Sequence, residues 1–164
     1  LLGRVFMKPV DCPFQAIDRI LAELAQSHPH NRLRMVEFHA EATSDKQLMG
    51  RHVDGRVSGM VGTHTHVATA DEQILPGGTG FQCDLGMTGP FKSILGRKID
   101  AVLEATLHGV PLPFQVATED VRLNGTWLDI DKHSGLCCNL GRIVLRENTL
   151  TEYLQAKSEA RHVL

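Results

Sequence analysis

The sequence lacks the features typical of membrane proteins, secreted disulfide-rich proteins and general nucleic-acid binders. No apolar run approaches the roughly 20 residues that a membrane-spanning helix needs, and no signal-peptide pattern opens the chain. The four cysteines show neither CxxC spacing nor a disulfide framework, which favours a reducing, cytoplasmic compartment. A net charge of −2 argues against general electrostatic capture of nucleic acid, but not against a small phosphorylated substrate held by metal ions.

An initiating methionine is also missing. The chain begins abruptly at Leu1, with neither a cap nor a turn, so we expect that the sequence enters its fold partway. Its 164 residues, 42% of them apolar, fit one domain with a substantial core. We assign that domain to residues 1–146 and expect residues 147–164 to form a polar C-terminal helix or tail.

Two histidines follow a run of small and apolar residues that predicts a buried strand. The run Val57–Val61 leads through Gly62 to His64 and His66, which stand two positions apart. In an extended chain this spacing places both imidazoles on one side, roughly 6.6 Å apart along the backbone. The pair therefore suits two ligands of one metal ion or of two adjacent ions. Thr65, between them, is expected to face away and pack.

A third histidine follows a second predicted strand. Leu33–Phe38 is short and apolar, and His39 comes directly after it. Loops after strand ends carry much of the chemistry in layered α/β folds. One predicted helix separates the two strands, and the resulting βαβ-like arrangement would bring His39, His64 and His66 together. The competing interpretation is that all three are structural histidines at strand ends.

Helical periodicity predicts three helices before the last strands. The first ends at about Gln26, the second runs from a capping box at Ser44 to about Val53, and the third spans about Gly96 to Leu107. The third helix is expected to turn inward its four apolar residues, Ile99, Val102, Leu103 and Leu107. Strands are predicted over Phe81–Leu85, Phe114–Ala117, Val121–Ile130 and Leu136–Leu145, the last two joined as a hairpin.

Several stretches, taken in order, are specific enough to indicate a family. They are Leu2–Arg4 with Phe6–Met7, Phe38–Ser44, Asp54–Ser58, Gly62–Val67, Ile74–Pro76, Asp84–Pro90 and Val121–Asn124. Together they resemble the YmdB-type metallophosphoesterases, a branch of the calcineurin-like superfamily, from the first residue to about Arg146. Only the carboxyl-terminal portion of that family is matched. The resemblance implies an α/β fold that is part of a four-layer α/β/β/α sandwich without its amino-terminal βα units.

The same resemblance implies a hydrolase that cleaves phosphodiesters, with 2′,3′-cyclic nucleotides as substrates, RNA as a further candidate and a homo-oligomeric assembly. Family members use two divalent ions, iron or manganese with zinc as an alternative, and a hydroxide that bridges them. His39 and His64 would bind one ion, and His66 the other. The family's remaining ligands and its general-acid histidine belong to amino-terminal motifs that this sequence does not contain, so no catalytic residue is assigned.

Other residues are candidates for supporting roles. Glu41 would orient a ligand histidine or pair with a basic residue, Asp84 would support a ligand or cap a loop, and Thr88 lies in a glycine-rich loop suited to phosphate. The sequence departs from the family at two positions. Glu37 stands where the family has Asp, and His52 stands where the family has an aromatic residue. We expect His52 to face solvent.

Two other functions compete with the phosphodiesterase. One is a catalytically inactive fragment that acts as a metal-binding or oligomer-forming module. The other is an amidohydrolase, which we set aside because its barrel needs about eight βα units with the histidine pair on the first strand.

Overall fold

The computed structural model describes residues 1–147 and 149, and has a mixed α/β architecture. The helices are α1 (Pro13–Ser27), α2 (Thr43–Val53) and α3 (Ile99–His108). The strands are β1 (Met35–His39), β2 (Gly59–Thr63), β3 (Gln73–Ile74), β4 (Gly80–Gln82), β5 (Gly89–Pro90), β6 (Val121–Ile130) and β7 (Cys137–Arg146). The predicted final helix, from about residue 149, lies outside the described residues apart from residue 149 itself.

A four-stranded sheet of order β1-β2-β4-β3 carries the first half of the chain. β1, β2 and β4 run parallel, and His39 at the end of β1 pairs with Thr63 at the end of β2. β3 runs antiparallel to β4, and the turn between them contains Pro76, Gly77 and Gly78. Because the parallel strands end at one edge, the residues that follow β1 and β2 meet there.

The core of this part is apolar and continuous from α1 and α2 to the sheet. Its buried members are Ile17, Leu21, Val36, Phe38, Ala40, Met49, Val53, Val57, Met60, Leu75, Phe81 and Cys83. Burying such side chains stabilises a fold by roughly 1.5–3 kcal/mol each relative to exposure. The predicted helix periodicity is confirmed here, because α1 turns Ile17 and Leu21 inward.

The chain divides into two compact units. The first comprises Leu1–Gly86 with Gly125–Arg142, and the second comprises Met87–Asn124 with the described residues from Ile143 onward. The strands β5, β6 and β7 form a three-stranded sheet in that order. The predictions for β6 and β7 are confirmed to within a residue at each end. The predicted strand at 114–117 is reduced to a single bridge, between Arg97 and Val116.

Three local predictions are wrong. α3 buries none of its residues, and Leu107 is 69% exposed. α2 begins at Thr43 behind Ala42 without a side-chain cap, so the capping box does not form. His52 does not face solvent freely, since its Nε2 lies 3.0 Å from Asp18 Oδ1 and its ring meets Phe14 edge-on.

Among the described residues, no helix combines the length and apolar character needed to cross a membrane.

Candidate functional site

His39 and His64 meet at the carboxyl edge of the parallel sheet. His39 is the last residue of β1, and His64 directly follows β2. Near the end of β2, Gly62 lets the strand pass close to the backbone of Cys83, because a Cβ at position 62 would lie 1.8 Å from the Cys83 carbonyl oxygen. The two imidazole rings are 4.7 Å apart at 89°, and Nδ1 of His64 lies 3.0 Å from Nε2 of His39.

The outward-facing nitrogens of this imidazole pair contact a hydroxyl group and a carboxylate. His39 Nδ1 lies 2.9 Å from the Thr63 hydroxyl, which in turn donates to Glu37 Oε1 at 2.8 Å. On the other side, His64 Nε2 lies 2.9 Å from Glu41 Oε2. The result is a continuous chain of polar contacts from Glu37 to Glu41 with the imidazole pair at its centre.

The directions of these hydrogen bonds determine which nitrogens are left for a ligand. Since the Thr63 hydroxyl donates to Glu37, it accepts from His39 Nδ1–H, and His39 Nε2 keeps its lone pair. Glu41 accepts from His64 Nε2–H, which leaves His64 Nδ1 as the nitrogen that faces His39. The two inner nitrogens are therefore the ones that a metal ion could bind, and in this structure they lie at hydrogen-bond distance from each other.

This donor set fits a divalent metal ion. Two imidazole nitrogens bound to one tetrahedral ion lie roughly 3.4 Å apart, close to the 3.0 Å observed here. Metal-binding histidines also commonly donate their other N–H group to a carboxylate or another acceptor, which fixes the ring and its tautomer. Both His39 and His64 do so, His39 through Thr63 and His64 to Glu41.

His66 does not join this pair. Within residues 1–147 and 149, no three His, Cys, Asp or Glu side chains form a group that could hold a metal ion. The prediction that three imidazoles come together is therefore not met. The reason is backbone conformation: β2 ends at Thr63, and His64 and His66 have φ angles of 115° and 67°. The rule for alternate residues in an extended chain does not apply to this loop.

A buried ion pair fixes the loop that carries these histidines. Lys46 Nζ lies 2.7 Å from Asp84 Oδ2, and both side chains are 1% exposed. The same oxygen accepts the backbone N–H of Thr65 at 3.0 Å, while Oδ1 accepts that of Gly86 at 2.8 Å. The sequence predicted only that Thr65 would pack. In the structure its backbone N–H also anchors the loop to Asp84.

The electrostatics of Asp84 follow from these contacts. Burial raises the pKa of its carboxyl group, but the hydrogen bonds from Lys46, Thr65 and Gly86 outweigh that effect, and the pKa lies below its ordinary value. Asp84 is therefore a carboxylate that the fold both buries and neutralises.

Thr88, the remaining candidate, lies in the second unit. It lines a groove of about 220 Å³ with Val121, Arg122, Leu123, Leu145, Arg146 and Glu147.

Sequence reasoning missed Thr63 and Lys46. Thr63 directly precedes His64 and pairs with His39 in the parallel register, but its role depends on the strand pairing. Lys46 did carry a signal, since it stands on the apolar face of α2 with Met49, Gly50 and Val53, a position where a lysine must find a buried partner.

Comparison with known proteins gives these contacts a family context. Residues 1–143 match the model of the YmdB-like protein family. The chain belongs to the YmdB-like family. It is 41% identical over 148 residues to a 2′,3′-cyclic-nucleotide 2′-phosphodiesterase of Bacillus subtilis (strain 168), an alignment that covers 90% of this chain and 55% of the relative.

Two solved structures resemble this member of the YmdB-like family. One is a hypothetical protein from Thermus thermophilus, with a TM-score of 0.81 and 40% identity over 90% of this chain and 56% of that one. The other is described as a novel phosphatase of Mycoplasma pneumoniae, with a TM-score of 0.79 and 29% identity over 92% of this chain and 54% of that one. The chain thus spans about half the length of these relatives. The activities named for these relatives are those of a phosphodiesterase and a phosphatase.

Proposed function

We propose that this chain provides part of a dinuclear metal centre that hydrolyses phosphodiesters, with 2′,3′-cyclic nucleotides as substrates. The observation that carries the proposal is the imidazole pair, in which His39 Nε2 and His64 Nδ1 lie 3.0 Å apart while Thr63 and Glu41 engage the opposite nitrogens. Two imidazole nitrogens this close would supply two of the three or four protein ligands that a divalent cation such as zinc takes. The substrate class rests on the name of the Bacillus subtilis relative.

In this proposal His39 and His64 hold one ion, and His66, exposed in the same loop, reaches the other. Imidazole ligands suit iron and manganese, with zinc as an alternative. A pair of such ions supplies an activated hydroxide at neutral pH and neutralises charge on the phosphate oxygens. Glu37, through Thr63, and Glu41 set the orientations of the two imidazole rings. Asp84, paired with Lys46, holds the loop between His64 and His66.

The rest of the centre must come from groups outside the described residues, because these supply no complete ligand set. We propose that they belong to the remaining layers of a four-layer α/β/β/α sandwich, of which this chain forms the carboxyl-terminal part. The general-acid histidine would belong to the same remaining layers. A homo-oligomer and a cytoplasmic location complete the proposal. The location is supported by four free cysteines, two of them buried.

A second candidate function is a metal-binding or oligomer-forming module without activity of its own. The incomplete ligand set favours it for this chain in isolation. The enzyme and a metal-binding module both require a metal ion at the imidazole pair and differ in turnover, whereas an oligomer-forming module requires no metal ion there.

The test is the manganese content of the purified chain together with hydrolysis of 2′,3′-cyclic AMP and of bis(p-nitrophenyl) phosphate. We expect bound Mn²⁺ that is lost in His64→Ala and retained in His133→Ala, a control at an exposed turn. Turnover in the wild-type chain supports the enzyme, and Mn²⁺ binding without turnover supports the module. Equal manganese content in wild type and His64→Ala would contradict the enzyme and the metal-binding module and leave only the oligomer-forming module.

A further inference from the structure

A cleft of about 360 Å³ adjoins the imidazole pair and shares only His64 with the metal centre proposed above. It is lined by Leu2, Gly3, Phe6, Met7, Lys8, Val10 and His64. Its volume is near the lower end of the range of small-molecule sites, roughly 300–1,000 Å³. One wall is a proposed metal ligand and the others are mainly apolar, so a ligand in this cleft would lie against the reacting centre.

Phe6 is the unusual residue of this cleft. Its side chain is 88% exposed, and its φ of 61° falls in the left-handed region that L residues other than Asn and Asp rarely adopt. An exposed ring gains nothing from burial, and a left-handed backbone is unfavourable, so neither property stabilises the fold. Such strain persists only where the surroundings impose it, and it concentrates at binding sites.

The surroundings do impose this conformation. The Asp45 carboxylate accepts the backbone N–H groups of Arg4 and Val5, each at 3.1 Å, and is itself buried at the start of α2. The N–H of Met7 donates to the carbonyl of Arg4 at 3.3 Å and closes a turn around Phe6. The ring is therefore presented by a constrained loop.

The same loop lies at the edge of the sheet where the imidazoles meet. Leu2 pairs in parallel with His39, so the chain leaves this bridge in the same direction as β1 and emerges at the carboxyl edge. Met7 Sδ accepts the backbone N–H of Glu41 at 3.4 Å, and Glu41 contacts His64. The Phe6 loop is thus connected through Met7 to Glu41, the residue that contacts His64 of the imidazole pair.

We propose that Phe6 is the platform on which the base of a nucleotide substrate stacks, with the Lys8 ammonium group facing its phosphate or ribose. This inference rests on the proposed function, from which it takes the nucleotide class. An aromatic face beside a cation matches a ligand with a flat apolar ring and an anionic end. Stacking is also tolerant of base identity, because every base offers a π-face.

The test measures binding separately from hydrolysis, with adenosine 3′-monophosphate and the base-free ribose 5-phosphate as probes on the full chain. Loss of stacking should weaken adenosine 3′-monophosphate binding to Phe6→Ala by roughly 5- to 150-fold and leave ribose 5-phosphate unchanged. Phe6→Trp should bind the nucleotide at least as tightly as wild type. Phe114→Ala, which removes another exposed phenylalanine from the second unit, should match wild type with both probes.

Several results would overturn the stacking platform: equal nucleotide affinity in wild type and Phe6→Ala, an equal loss for both probes, or no preference of the wild type for the nucleotide. Base-dependent binding in a chain that never hydrolyses 2′,3′-cyclic AMP would uphold the platform and count against the enzyme. A kcat/KM for 2′,3′-cyclic AMP that is unchanged in Phe6→Ala would support the enzyme and contradict the platform.

Discussion

The first unit contains two polar clusters, Lys46 with Asp84 and His64 with Glu41, which differ in how far their side chains are buried. Lys46 and Asp84 are each 1% exposed and make direct contact, whereas His64 and Glu41 keep about a third and a half of their side chains in solvent. The buried pair costs desolvation energy that its contacts must offset, while the open pair keeps access to ligands. The difference separates a cluster that fixes geometry from a cluster that is available for chemistry.

Asp84 links the two clusters. It binds Lys46 on one side and the backbone of Thr65 on the other, and Thr65 lies between His64 and His66. The backbone at both histidines is left-handed, which is unfavourable in isolation. The buried pair therefore holds the loop in a conformation that the loop would not adopt by itself.

The largest expected effect comes from removing one member of the buried pair. Lys46→Met keeps the length of the side chain but leaves the Asp84 carboxylate buried without its partner, which should lower the free energy of unfolding by roughly 3–5 kcal/mol. Urea denaturation measures this loss. The control is Lys132→Met in the exposed turn before β7, expected to stay within about 0.5 kcal/mol of wild type. A loss below about 1 kcal/mol in Lys46→Met would remove the distinction between the clusters.

A smaller effect is expected in the open cluster. Glu41→Gln keeps the size of the side chain but removes the charge that His64 Nε2–H faces, which should weaken Mn²⁺ binding about 10- to 100-fold. Stability should change by less than about 0.5 kcal/mol, since this contact is solvent-exposed. Isothermal titration with Mn²⁺ and urea denaturation test the two expectations on the same preparation. A variant that loses stability but keeps its Mn²⁺ affinity would assign Glu41 to the fold.

The smallest effect is a dependence on acid pH. The folded pKa of Asp84 lies below the value of about 3.9 that an aspartate has in an unfolded chain. Its contribution to stability is therefore complete above the unfolded pKa and is lost as the pH falls through the folded pKa. Unfolding free energies measured from pH 6 down to pH 3 should decrease more steeply for wild type than for Asp84→Asn. Identical slopes would show that Asp84 contributes nothing to the acid sensitivity.

The two clusters also differ in how far the sequence predicts them. His39 and His64 could be placed together because each follows an apolar strand and parallel strands end at one edge. The contact of Lys46 with Asp84 joins residues 38 positions apart, and no local pattern specifies it. Only the position of Lys46 on the apolar face of α2 indicated that its charge would be buried.

The errors have physical causes of the same kind. Periodicity identified an apolar face on α3, but it cannot say whether another element covers that face, and Ile99, Leu103 and Leu107 remain exposed. The extended-chain rule for His64 and His66 failed because β2 ends one residue earlier, at Thr63. Backbone conformation beyond a strand end depends on contacts such as that of Thr65 with Asp84, which appear only in three dimensions.

The most direct test of the proposal that the imidazole pair binds a metal ion is an NMR titration of the chain, labelled with ¹⁵N-histidine, with Zn²⁺. We expect one equivalent to shift the signals of His39 Nε2 and His64 Nδ1, while His39 Nδ1 and His64 Nε2 stay protonated against Thr63 and Glu41. If Zn²⁺ shifts the outer nitrogens, or leaves both histidines unchanged, the pair does not bind metal in the way its hydrogen bonds indicate.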